Sequence, residues 1–212
     1  MALALAAANR ASPRWILHTH GHPDHTGGSA ALAAQLGAEV LGHGGDSAWF
    51  APDRDLARLD EVALGSLRVR VHHVPGHTPG SVLFECRGAL FTGDTLFTGG
   101  CGNCRSGGDV EALAHSFLEV LSRLDGSLRV HPGHDYAIPN LLFVATVEPG
   151  NAAAAARLSD VRACAADGQE QPVVDLAAER LVNPFLRVRD VPTFVDLRSR
   201  RDAWPGTARS GR

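Results

Sequence analysis

The sequence predicts a layered α/β protein, and three observations predict it. Short apolar runs of strand type, bounded by glycine and proline, recur from Trp15 to His131. Helix-period segments stand between and after them. Histidines and aspartates gather in the loops beside the strands, where active sites of layered α/β proteins collect because loops can vary while the sheet holds them.

In chain order, "MALALAAA" reads as an alanine-rich helix leading into a strand at Trp15 to Leu17. It lacks the charged leading region of a signal peptide, and its eight apolar residues are too few to span a membrane. Ser29 is placed to cap a helix over Ala30 to Leu36, Gly37 stops it, and "AEVLG" follows as a short strand. "LRVRVHHV" (Leu67 to Val74) alternates apolar and polar residues, and "SVLFEC", a Gly88 turn and "ALFTGD" read as a hairpin. Val110, Leu113, Ala114, Phe117, Leu118, Leu121 and Leu124 form one helical stripe, with Asp109 as N-cap and Gly126 past the end. "LRVH" (Leu128 to His131) is the last strand. From Glu148 the chain turns helical and polar, with Asn151 capping. The expected organisation is a core over residues 1–147 and a helical C-terminal region over 148–212.

Composition bounds the function. The chain has 212 residues with 44% apolar content, enough for one real core, and its 20 basic against 23 acidic side chains leave a net charge of −3. Nothing there argues for nucleic acid or an anionic membrane as partner. Four scattered cysteines are too few for a disulfide framework, which favours a reducing, cytoplasmic location. Cys101 and Cys104 form a single C-x-x-C; a zinc ribbon needs a second pair, and a thioredoxin motif needs a different context.

The chemistry concentrates in "HTHGHPDHTGG" (His18 to Gly28). His20 and His22 can project the same way from extended chain, and Asp24 and His25 follow a little later. Imidazole and carboxylate are the ligands of catalytic zinc and related ions. His77 in "PGHTPG", Asp94 in "TGDT" and His134 in "PGHDY" each lie beside glycine next to a strand, giving seven candidate ligands in four loops. His18, His43, His72, His73 and His115 are read as structural.

His-x-His-x-Asp-His, a glycine-flanked His, Gly-Asp-Thr and Gly-His together resemble the metallo-β-lactamase superfamily, an αββα sandwich of two packed sheets covered by helices. "FTGDTLFTGGCG", "PGHDYAIPNLLFVATVEPGNAA" and "NPFLRV" are similar to glyoxalase II (hydroxyacylglutathione hydrolase), a likeness running from about Ala6 to Trp204. The resemblance implies two divalent ions, zinc first and iron or manganese as alternatives. His20, His22 and His77 would hold one, Asp24, His25 and His134 the other, and Asp94 would bridge them. Two cations sharing a water lower its pKa enough to supply hydroxide at neutral pH, which suits thioester hydrolysis. Asp24 and Asp94 are then the catalytic carboxylates, Asp24 orienting the water. The implied substrate is a small glutathione-derived thioester, met by Tyr136, Arg105, Arg198 and Arg201.

Two departures stand out. Where the family carries a lysine and a tyrosine after Gly-Cys-Gly, this chain has Asn103 and Arg105. Family members also begin with several strands and a helix ahead of the motif loop, of which only a helix tail precedes Trp15 here. An N-terminally short sandwich with an open sheet edge, from an incomplete or marginally stable chain, is the expectation. The alternatives are a mono-iron persulfide dioxygenase using His20, His77 and Asp94, and a non-catalytic metal-binding homologue.

Overall fold

A computed structural model describes residues 12–206. The alanine-rich helix expected at the start lies outside the described residues. Two sheets, one all-parallel and one mixed, form the centre. The first is three parallel strands in the order β1 (Trp15–Leu17), β2 (Glu39–Gly42), β3 (Arg54–Asp55). The second has five strands in the order β10-β7-β6-β5-β4: β4 (Glu61–Leu64), β5 (Leu67–His73), β6 (Val82–Cys86) and β7 (Ala89–Gly93) run antiparallel in succession, and β10 (Arg129–Pro132) adds parallel to β7. A small hairpin, β8 (Leu96–Phe97) and β9 (Gly100–Cys101), follows β7. Among the described residues β1 is an edge of its sheet.

The period of two along each strand divides the core. Val69, Val71, Val82 and Phe84 face the first sheet and pack with Leu41 and Leu56, while Leu83, Leu90 and Val130 point the other way into the largest cluster. That cluster continues into helices, through Leu113 and Phe117 on one side and Leu176, Phe185, Phe194 and Leu197 on the other. Each fully buried side chain of this kind is worth about 1.5–3 kcal/mol of transfer free energy.

The helices are α1 (Pro23–Thr26), α2 (Ser29–Leu36), α3 (Val110–His115), α4 (Ala137–Val147), α5 (Ala152–Ala166), α6 (Leu176–Val182) and α7 (Val191–Ala203). Three differ from expectation. Ser29 does not cap α2: Gly28 holds that position, and the Ser29 hydroxyl instead meets His18 Nε2 at 2.6 Å. The helix capped by Asp109 is α-helical only to His115, then widens into a π turn over Ser116–Val120 and tightens to a 3-10 turn over Leu121–Arg123. Helical structure also returns before Glu148, because α4 already spans Ala137–Val147; Asn151 caps α5 as expected, accepting from Ala154 N at 3.0 Å. Leu141 and Val144 of α4 pack with Ala154, Val161 and Val182 of α5 and α6.

Among the described residues no helix is long and apolar enough to cross a membrane.

Candidate metal centre

All seven candidate ligands converge at one end of the sandwich. β1 delivers the chain into the loop carrying His20 and His22, and α1 then turns Asp24 and His25 back toward it. His77 follows β5, Asp94 follows β7, and His134 follows β10.

His22 Nδ1 and His77 Nε2 lie 3.0 Å apart, and with His20 they form one compact set of nitrogens. His25 Nε2 and His134 Nε2 are 3.1 Å apart, and His134 Nε2 is 3.2 Å from Asp24 Oδ2, giving a second set. Asp94 lies between them: Oδ1 is 3.3 Å from His25 Nε2, and Oδ2 is 3.7 Å from His77 Nε2 and 3.5 Å from His134 Nε2. Gly133 must be glycine for this to close, since a Cβ there would stand 2.5 Å from Asp94 Oδ1.

The outer nitrogens of the first set fix the tautomers. A carbonyl only accepts, so His77 Nδ1–H donates to Asn103 O at 2.6 Å and His22 Nε2–H donates to Ser106 O at 3.1 Å. The opposite nitrogen of each ring is left with its lone pair facing inward, as a metal ligand requires. His20 presents a buried Nε2 with no hydrogen-bond partner among the described residues.

Electrostatics favour the neutral ring at His20 and His77. Burial, followed by the neighbouring His25 and His77, pushes His20 down to about 2, so its ring is neutral. Burial lowers His77 as well. Burial works against ionised Asp94, but the hydrogen bond from His25 and the surrounding histidines hold its carboxyl below the usual range. Burial disfavours protonated His25, yet the hydrogen bond and charge of Asp94, with the charge of Asp24, outweigh it and raise that pKa. Neutral His20 and His77 beside the Asp94 carboxylate, with one nitrogen buried without a hydrogen-bond partner among the described residues, fit a divalent cation of the zinc, iron or manganese group.

Two neighbouring cavities share Asn103 and Tyr136. One, of about 380 Å³, opens directly on His22, Asp24, His77, Asp94 and His134, with Trp49 and Pro23 on its wall. The other, of about 200 Å³, is lined by Arg105, Arg198, Arg201 and Asn140 among others, so the four residues expected to meet substrate border one space. Burial, then Asp94 and Asp24, raises the pKa of the Tyr136 phenol, whose ring stacks on His134.

The arginines are not a solvated helix face. Arg198 is only 6% exposed and donates to Cys101 O at 2.9 Å and to Asp202 Oδ1 at 2.8 Å. Arg201, also buried, donates to Asn140 Oδ1 at 3.0 Å and lies over the Phe143 and Trp204 rings. Arg105 is the exposed one, anchored by Asp202 O at 3.0 Å.

Cys101 and Cys104 are free thiols, pushed up to about 11 and about 12 by burial, so both stay protonated and neither offers a thiolate. Cys104 packs against the main core. Of the histidines read as structural, His18 is buried against Ser29, His72 meets Glu85 at 2.8 Å, and His115 meets Glu119 at 2.8 Å. Trp49, edge-on to His22 at 5.1 Å between ring centres, and the buried Asp46 are site residues that no motif announced.

The sandwich and its histidine and aspartate cluster define a metallo-β-lactamase fold, and the family model described as Metallo-beta-lactamase superfamily matches residues 1–134. A second, described as Hydroxyacylglutathione hydrolase C-terminus, matches residues 135–204. The hydroxyacylglutathione hydrolase of Anaeromyxobacter dehalogenans (strain 2CP-C) is 65% identical over 191 residues, covering 90% of this chain and 74% of that protein. That of Acidiphilium cryptum (strain JF-5) is 38% identical, covering 95% of this chain and 84% of that protein. The chain belongs to the hydroxyacylglutathione hydrolase family. Among solved structures, ETHE1 from Myxococcus xanthus superposes with a TM-score of 0.70 at 26% identity, covering 97% of this chain and 77% of that one. TTHA1623, determined in a di-iron-bound form, gives 0.61 at 30% identity, covering 87% and 83%.

Proposed function

We propose that this chain hydrolyses a hydroxyacyl thioester of glutathione, using two divalent ions, zinc in the first instance. His20, His22 and His77 would hold one ion and Asp24, His25 and His134 the other, with Asp94 shared. The observation that carries the reading is the pair of histidines whose outer nitrogens donate to the Asn103 and Ser106 carbonyls, leaving inner lone pairs that face each other across 3.0 Å, with Asp94 Oδ2 3.7 Å from His77 Nε2. When bound, such a pair of ions supplies an acidified water and positive charge for a developing oxyanion.

The chain's own residues set the rest. Asp24 orients the attacking water from the exposed side of the cluster. The phenol of Tyr136 keeps its proton and faces both cavities as a hydrogen-bond donor. Trp49 gives the acyl group an apolar wall beside His22. Arg105, with Arg201 and Arg198 behind it, gives the second cavity the positive charge that a carboxylate-bearing thiol carrier needs. The departing thiol has a pKa of about 8.5 or somewhat above, so it leaves as thiolate with little assistance. We assign the metal-binding core to residues 1–147 and a substrate-contributing role to 148–212. Four free cysteines support a reducing, cytoplasmic setting.

The test is the initial rate of lactoylglutathione hydrolysis by the zinc-loaded chain, with Asp24→Ala as control. The expected result is a rate that falls by orders of magnitude in the control. A folded, metal-replete chain with no rate overturns the thioester assignment.

A further inference from the structure

Asp46 lies outside every ligand motif, and its side chain is completely buried. It ends a 3-10 turn, Gly44–Asp46, that follows β2. Its carboxylate accepts three hydrogen bonds from two other loops. Oδ2 takes the Gly21 N–H at 2.7 Å and the Thr78 hydroxyl at 2.8 Å, and Oδ1 takes the Gly80 N–H at 2.7 Å. Gly21 is the residue between His20 and His22; Thr78 and Gly80 follow His77. Both glycines admit the carboxylate only because they lack a side chain: a Cβ on Gly21 would stand 2.7 Å from Asp46 Cβ, and one on Gly80 2.7 Å from Asp46 Cγ.

We infer that Asp46 is a positioning residue that clamps the His20/His22 loop to the His77 loop and so sets the spacing of the three nitrogens of the first site. The inference rests on the metal reading above. A carboxylate is suited to this because it is acceptor-only on both oxygens and can satisfy an amide from each loop at once. An amide cannot. In whichever way an Asn side chain is turned, its NH2 faces either the Gly21 N–H or the Gly80 N–H, so one of the two amide bonds is lost and two donors are set against each other. None of the three hydrogen bonds reaches Asp24, His25 or His134, so the second site should be spared. A group that only held the fold together would weaken both sites alike.

The experiment compares Asp46→Asn in two backgrounds: Asp24→Ala, which leaves the first site to be titrated, and His22→Ala, which leaves the second. The metal-free proteins are titrated with Co2+ and followed by visible absorption. Expected is a loss of Co2+ affinity of about 10–100-fold with an altered spectrum in the Asp24→Ala background, typical of losing a group that orients a ligand. The His22→Ala background should change by less than about twofold. Equal losses in both backgrounds, or none in the first, overturn the inference. If Asp46→Asn does not fold, Thr78→Val removes one of the three bonds and keeps both amides; a few-fold loss confined to the first site is expected, and no change overturns the clamp. A parent chain that binds no Co2+ sinks the metal reading and the clamp together, whereas normal parent binding with an unaffected Asp46→Asn sinks the clamp alone.

Discussion

At the scale of single residues, the seven candidate ligands were legible because each follows a strand-type run and stands near glycine, so local signals sufficed. Asp46 and Glu179 were not, because their partners are remote: Asp46 bonds residues 25 and 34 positions away, and Glu179 accepts from Gly99, 80 positions earlier. Arg198 and Arg201 were read as reaching for substrate; Arg198 also ties α7 to β9 and to the residue after it, a second role that the motif alone could not announce. Glu179 is a fully buried carboxyl raised by burial to about 7 from an ordinary 4.5, against the Gly99 and Asn183 hydrogen bonds that oppose the shift. Between those two values the folded chain keeps a proton that the unfolded chain releases, so this residue costs stability as pH rises through that window. Glu179→Gln keeps the shape and removes the titration. Its melting temperature should converge with the parent near pH 4.5 and exceed it at pH 8, by the equivalent of about 3 kcal/mol at most. Arg105→Ala, at an exposed position, should raise KM for the glutathione thioester roughly tenfold with kcat and melting temperature little changed, as loss of one exposed charge-assisted contact would.

At the scale of elements, the hairpin of β6 and β7 and the caps Asp109 and Asn151 could be read directly, since turn chemistry and periodicity agree there. β3, β8 and β9 were missed because two residues carry no period to separate them from loop, and the four-residue β4 was missed with them. α4 was missed because "AIPNLLFVATV" is apolar on nearly every side and holds a proline; Pro139 sits in the first turn, where its absent N–H leaves no bond unmade. The single stripe from Val110 to Leu124 concealed a change of helix type. At the π turn the Ser116 hydroxyl donates to Pro75 O at 2.7 Å, tying the helix to the loop just before His77. The β8 and β9 hairpin depends on a polar network more than on its own pairing. Asn183 Nδ2 is within reach of Phe97 O, Gly100 O and Glu179 Oε1 at 3.0–3.1 Å, and Asn140 donates to Thr98 O. Asn183→Ala leaves those buried carbonyls unpaired and removes the cap on Phe185 N, so a loss of about 2–4 kcal/mol in urea unfolding is expected.

At the scale of the whole molecule, the largest cluster runs from the five-stranded sheet into α6 and α7, so sheet and C-terminal helices share one interior. Unfolding followed by far-ultraviolet circular dichroism and by tryptophan fluorescence should therefore give coincident transitions. The candidate ligands come from the connections after β1, β5, β7 and β10, which belong to both sheets, so ions bound there brace the sandwich. Chelation should lower the melting temperature, and readded Zn2+ should restore it in a concentration-dependent way.

The shared wall of Asn103 and Tyr136 bears on turnover and inhibition. On the proposed placement, with the acyl half in the larger cavity and the carrier thiol in the arginine-lined one, the thiol product would keep the contacts that fresh substrate uses. Free glutathione, or an S-alkyl form that cannot be cleaved, should therefore compete with substrate, raising apparent KM and leaving the limiting rate alone. At high thiol concentration, the pace of hydrolysis would then follow the ratio of thioester to free thiol.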